Sequence, residues 1–208
     1  MPSSCCSVLE LRQYTLHPGQ RDVLISLFDR AFIESQEATG MHLIGQFRDE
    51  DRPDRFVWLR GFRDMASRRE ALSAFYGSPV WKEHRSAANV TMQDSDNVLL
   101  LRPVRSDTGL AHPGTPRPAP ETDTRPDSRV VVTVCYLKAP AENTFPALPV
   151  RTGEHVFAWL TVFPDAARHR EHLRRRATAK NWSEPLQPWL SAPVEHLTLS
   201  PTARSELR

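Results

Sequence analysis

The sequence predicts an α+β fold of two tandem ferredoxin-like units, the second of them shortened. Three observations carry that expectation: an internal repeat, a proline-rich divider and a β-α-β-β-α-β order in the first half. At a shift of 101 positions, without a gap, Phe56, Trp58, Leu59, Phe62, Asp64, Ala66, Arg69, Glu70 and Leu72 fall on Phe157, Trp159, Leu160, Phe163, Asp165, Ala167, Arg170, Glu171 and Leu173. The same shift brings Trp81 onto Trp182, and a small deletion then brings Leu99, Leu101 and Pro103 onto Leu197, Leu199 and Pro201. Between the copies, Arg105 to Ser128 holds Pro113, Pro116, Pro118, Pro120 and Pro126 with almost no large apolar residue. Proline fixes φ and removes a backbone donor, so this stretch reads as a solvated linker. The units are therefore residues 1–104 and a shortened 129–208, divided by 105–128.

In the first unit, Ser7 to Leu16 alternates as a strand, with Leu9, Leu11 and Gln13 on one side and Glu10, Arg12 and Tyr14 on the other. His17, Pro18 and Gly19 turn the chain. Val23, Leu24, Leu27, Phe28 and Ala31 then recur at helical spacing across Gln20 to Ala38, and Thr39-Gly40 supplies a stop. Strands follow at Met41 to Phe47 and Phe56 to Phe62, with a charged turn between them. Asp64 is placed to cap a helix at Ser67 to Tyr76, a short helix follows at Pro79 to His84, and Asn97 to Arg102 forms the last strand. The second unit starts with an apolar strand from Arg129 to Leu137. Only the loop from Ala139 to Gly153 separates it from the strand at His155 to Phe163, so the first helix is lost. A short extended segment is expected at Leu148 to Arg151.

Composition narrows the classes. Of 208 residues, 39% are apolar and 25% charged, which suits a globular protein with a core. A formal net charge of +2 provides no field for nucleic acid or an anionic membrane, and neither partner is expected. Cys5, Cys6 and Cys135 lack zinc or CxxC spacing, and no apolar run approaches a membrane span, so a reducing cytoplasm is the expected setting. No P-loop, Rossmann glycine signature, nucleophile elbow or HExxH is present, and no cofactor or metal is called for.

Glu10-Leu11-Arg12-Gln13-Tyr14-Thr15-Leu16-His17-Pro18-Gly19 resembles the opening E-L-R-x-Y-x-L-x-P-G signature of the NIPSNAP family. Gly45 after Met41-His42-Leu43-Ile44, the Trp58 strand, Arg69 and Pro79-Val80-Trp81 follow in that family's order, so the resemblance covers about the first 104 residues. The resemblance implies a dimeric α/β-barrel type of architecture, in which two ferredoxin-like sheets pack face to face. Relatives on that fold include cofactor-independent monooxygenases, haem enzymes and assembly proteins, so fold analogy does not select a reaction.

If one strand face lines a barrel cavity, its expected polar residues are Arg12, Tyr14, His42, Trp58 and Arg60, with Tyr136, His155 and Trp159 from the second unit. Arg12 and Tyr14 suit an oxyanion or carboxylate, against the competing reading that Glu10 simply pairs with Arg12. Tyr14 and His42 are the candidate proton carriers, with Arg12, Trp58, Arg60, Tyr136, His155 and Trp159 holding substrate. Trp58 and Trp159 equally fit core packing. His169 and His172 are three apart on a helix, but the arginines around them read as a basic solvent face rather than a metal site. The expected activity is binding, and conversion, of a small, largely apolar metabolite by oxygenase-like or isomerase-like chemistry. The alternatives are a non-catalytic binding or assembly module and a haem protein with His42 as ligand. A homodimer is expected, because the lost helix leaves apolar surface to cover.

Overall fold

A computed structural model describes residues 6–105, 109–110, 116–137, 150–151, 153–178 and 184–208. The first unit runs β1 (Val8–Leu16), α1 (Arg21–Leu27), a π-helical segment (Phe28–Phe32), α2 (Ile33–Glu37), β2 (His42–Asp49), β3 (Arg55–Phe62), α3 (Met65–Gly77), α4 (Pro79–Asn89), β4 (Met92–Asp94) and β5 (Val98–Leu101). The second runs β6 (Arg129–Leu137), β7 (His155–Phe163), α5 (Ala166–Thr178), a 3-10 helix (Glu184–Trp189) and β8 (Glu195–Pro201). Local chemistry accounts for the ends. Gly40 leaves the first helix at φ 89°, a conformation that costs a glycine little. Asp64 caps α3 by accepting from Ser67 N–H at 2.7 Å, as expected from sequence, and Ser78 caps α4 with Pro79 at its first position. The helix expected to end at His84 continues to Asn89, and the expected single helix at Gln20 to Ala38 contains a π segment that keeps both Phe28 and Phe32 buried.

The strands form one antiparallel sheet in the order β4-β1-β3-β2-β8-β6-β7, with β5 also pairing β1. Within the first unit this is the ferredoxin-like order, and the second unit repeats it as β8-β6-β7. The units join where β2 pairs β8 through Phe47↔Pro201, Arg48↔Ser200 and Asp49↔Leu199. At the opposite edge, Arg151 N–H donates to the Val98 carbonyl of β5 at 2.8 Å. Val150 and Arg151 are not part of a strand, and Leu148 and Pro149 of the expected segment, like Trp182 of the Trp81–Trp182 equivalence, fall outside the described residues.

Both strand faces are buried in the first unit. Leu9, Leu11, Phe47, Val57 and Leu59 pack against Val130, Val132, Val134, Leu197 and Leu199, so the space between the two halves of the sheet is filled by apolar side chains. The opposite face carries Tyr14, Trp58 and Phe62 against Leu24, Phe28, Phe32, Leu72 and Phe75 of the helices.

That arrangement corrects the expected facing of the candidate residues. Arg12, Tyr14, Trp58 and Arg60 lie on the helix side of the first unit, because their strand positions alternate with the apolar residues that occupy the barrel interior. Trp159 and His155 lie on the outer face of β7, whereas Tyr136 belongs to the interior face. The eight residues do not share one cavity. The physical reason is that charged side chains can be buried away from any cavity when they are hydrogen-bonded to a shared counter-ion and stacked on aromatic faces, as the next section shows.

Candidate functional site

On the helix side of the first unit, Glu10 is the centre of a buried ion cluster. Its Oε2 accepts from Arg12 Nη1 at 2.9 Å and Arg60 Nε at 2.7 Å, and its Oε1 accepts from Arg68 Nε at 2.6 Å. All four side chains are at most 1% exposed. Burial alone would raise the Glu10 carboxyl, but Arg60, Arg12 and Arg68 together hold it at about 2. Arg12 Nε also donates to Tyr14 Oη at 2.9 Å, and Arg60 Nη1 to Gln36 Oε1 at 2.9 Å. Both guanidiniums lie over the Trp58 ring, at 5.3 and 4.9 Å from its centroid. Tyr14 and Trp58 line only a small void of about 40 Å³ under the helices. The pairing of Glu10 with Arg12 is thus what the structure contains, and these residues close the unit rather than open a site.

The equivalent face of the second unit is different. The shift of 101 and the strand register place Val131, Thr133 and Thr161 where the first unit has Glu10, Arg12 and Arg60, and His169 where it has Arg68. Among the described residues no helix stands for α1 and α2, so only α5 covers this face. A groove of about 390 Å³ results, with Val131, Thr133, Trp159, Thr161, Phe163, His196 and Thr198 from the sheet and His169, His172, Leu173 and Arg176 from α5. That volume falls within the range of small-molecule sites.

Three imidazoles edge the groove. His169 and His172 lie against Phe163, with ring centroids 5.1 and 5.2 Å away, and His196 Nδ1 is 3.1 Å from Thr133 Oγ1. Burial lowers the pKa of His169, and His172 and Arg129 add to the effect; burial and then Arg176 lower that of His196. Both rings are therefore neutral near pH 7 and can accept a proton. Helix α5 brings Arg168, Arg170, Arg174, Arg175 and Arg176 against a single Glu171, a local field that favours an anion. Among the described residues no cluster of histidine, cysteine and carboxylate groups is arranged to hold a metal ion.

Of the expected site residues, only Trp159 lines this groove. Tyr136 stands at one end of the barrel, donating to Glu195 Oε2 at 2.7 Å and accepting from Arg151 Nη1 at 2.9 Å. Burial and the Glu195 hydrogen bond push its phenol up to about 12. His155 is exposed at the start of β7, and His42 Nε2 is 2.7 Å from Glu206 Oε2. His196, Thr133 and Thr161 were not singled out from sequence. The signal that could have found Thr133 and Thr161 is the loss of charge at Val131, Thr133 and Thr161 relative to Glu10, Arg12 and Arg60 of the first copy.

The NIPSNAP family model matches residues 9–106. No curated protein matches the chain. Among solved structures, a NIPSNAP family protein of unknown function from Agrobacterium tumefaciens is similar at 21% identity over 48% of this chain and 90% of its own, with a TM-score of 0.45. An uncharacterised NIPSNAP-like domain protein from Burkholderia xenovorans is similar at 25% identity over 47% and 84%, with a TM-score of 0.43. A putative monooxygenase from Lactobacillus acidophilus is similar over 93% of both chains, at 13% identity and a TM-score of 0.53. The last similarity spans both units and concerns the fold. No helix among the described residues is long and apolar enough to cross a membrane.

Proposed function

We propose that this chain, whose first unit is a NIPSNAP domain, binds a small, largely apolar molecule with an acidic group in the groove of its second unit. One observation carries the proposal: the face that is sealed by helices and ions in the first unit is an open cavity of about 390 Å³ in the second. Trp159, Phe163, Val131 and Leu173 supply apolar contact, and Arg176 supplies a cation for the acidic end. The neutral imidazoles of His169 and His196 stand where they can take a proton from the bound molecule, which is the step shared by isomerisation and by cofactor-independent oxygenation of an acidic carbon. At 13% identity the likeness to a putative monooxygenase concerns fold alone, so the proposal rests on the groove's own residues.

The test is a calorimetric titration with a panel of small aromatic carboxylates, their neutral amides and the matching amines. Saturable binding that favours the carboxylates is expected. Arg176→Gln should weaken it about tenfold, the loss of one charge-assisted hydrogen bond. Leu173→Trp, which fills the groove from its α5 wall, should abolish it. Absence of saturable binding across the panel, or binding indifferent to Leu173→Trp, would overturn the reading.

A further inference from the structure

We infer that Cys6, His42 and Glu206 form a separate reactive site, in which Cys6 is a thiol poised to attack a small, uncharged electrophile. Three distant segments converge there: the residue preceding β1 by two positions, the first residue of β2, and the stretch after β8. Cys6 Sγ lies 3.7 Å from His42 Nδ1, and His42 Nε2 lies 2.7 Å from Glu206 Oε2. The order of these contacts matters. A carboxylate can only accept, so Glu206 fixes the hydrogen on Nε2 and leaves Nδ1 as an acceptor facing the thiol.

The surroundings hold this geometry. Gly61 pairs with His42 across β2 and β3, and a Cβ at that position would stand 2.3 Å from Cys6 Sγ, so the thiol's seat requires a glycine. Glu206 is fixed by its own segment running along β2, where Thr202 N–H donates to the Gln46 carbonyl at 2.8 Å and Leu207 N–H to the Ile44 carbonyl at 2.7 Å. Among the described residues, the charged groups packed here are Glu206 itself, Arg117, whose Nη2 is 3.3 Å from Glu206 Oε2, and Glu37, 2.5 Å from the same Nη2. An imidazolium formed at His42 would thus face a carboxylate 5% exposed. Cys135 is the internal contrast: it is buried beside β-strand neighbours, and burial pushes its thiol up.

In the reaction, the Cys6 proton moves to His42 Nδ1 and the sulfur attacks the electrophilic carbon. With iodoacetamide an S–C bond forms, the C–I bond breaks and iodide leaves. Cys6 is 4% exposed and the His42 side chain 18%, so the approach is narrow and suits a small, uncharged reactant. The site is distinct from the groove of the second unit and stands or falls independently of it.

The experiment is the rate of iodoacetamide labelling at pH 6.5 in a Cys5→Ser background, located by peptide mass spectrometry. Native Cys6 should react on the order of tenfold faster than the same thiol in urea, because a thiol of ordinary acidity is only about 1% ionised at that pH. Burial without activation gives the opposite result, a native rate below the unfolded one. His42→Ala should remove the acceleration, and Glu206→Gln should reduce it with the fold intact by circular dichroism, providing the reading if His42→Ala does not fold. A native rate at or below that in urea, or a rate unchanged in Glu206→Gln, would overturn the inference.

Discussion

The helix sides of the two units begin from the same strand tryptophan and end in opposite states. In the first unit Trp58 is 2% exposed beneath three helical segments, flanked by the guanidiniums of Arg12 and Arg60. In the second, Trp159 is half-buried on the floor of a groove, beside threonines. The difference shows that buried charge and helical cover depend on each other. Three arginines around one glutamate are held by Glu10 itself, by Tyr14 and Gln36, and by the face of Trp58. Where no such helix stands among the described residues, Val131, Thr133 and Thr161 occupy the positions of Glu10, Arg12 and Arg60, and the face is an open groove.

The comparison breaks most sharply at Glu10. Removing the one carboxylate among Arg12, Arg60 and Arg68 leaves buried cations without compensation, so Glu10→Gln should cost about 3–5 kcal/mol of first-unit stability in urea unfolding. Val131, its counterpart, has no such role, and Val131→Thr should change stability by less than about 1.5 kcal/mol. A Glu10→Gln cost below about 1 kcal/mol would mean that the cluster is not what seals the unit.

The tryptophans come next. Trp58→Ala should cost about 3–5 kcal/mol, as for a large core side chain, whereas Trp159→Ala should cost about 1 kcal/mol and instead remove carboxylate binding. Equal costs would place Trp159 in a sealed core and contradict the groove.

How much of this was legible beforehand follows from the same residues. The repeat, the strands at Arg129 to Leu137 and His155 to Phe163, and the Asp64 cap were readable because each rests on local chemistry. Facing was not. Alternation in β1 separates Leu9 and Leu11 from Glu10 and Arg12, but when both faces are buried the pattern does not say which one looks into the barrel. Polar residues suggested a cavity, and the cluster shows how four charges can be packed without one. His169 and His172 were visible as a helical pair, yet their arginine neighbours pointed to solvent. His196 reaches the groove only through the pairing of β8 with β6, a contact 63 residues apart in sequence.

A smaller effect sharpens the comparison at matched leucines. Leu72 on α3 is fully buried, and Leu173 on α5 is 49% exposed. Leu72→Ala should cost about 2–5 kcal/mol, and Leu173→Ala no more than about 0.5 kcal/mol, both measured by thermal unfolding. A large cost at Leu173 would show the groove wall to be covered in solution.

The smallest expected effect is in acid, and it separates the units by pH. His169 and His196 titrate below the ordinary imidazole value because burial penalises the cation, with His172 and Arg176 adding repulsion. The unfolded chain therefore takes up their protons first, near pH 6.5, so the second unit is fully stabilised above that pH and weakens as pH falls through the lowered values. Glu10 behaves as a carboxylate held low: its contribution is complete above about 4.5 and is lost as pH falls toward about 2. Acid should accordingly loosen the second unit before the first. Hydrogen exchange of the β6–β7 ladder should begin to rise as pH falls below about 6.5, while the β1–β3 ladder stays protected until below about pH 4.5. Simultaneous loss of protection would mean that the β2–β8 junction makes the two units one cooperative body, and that the open groove costs the second unit nothing the first does not share.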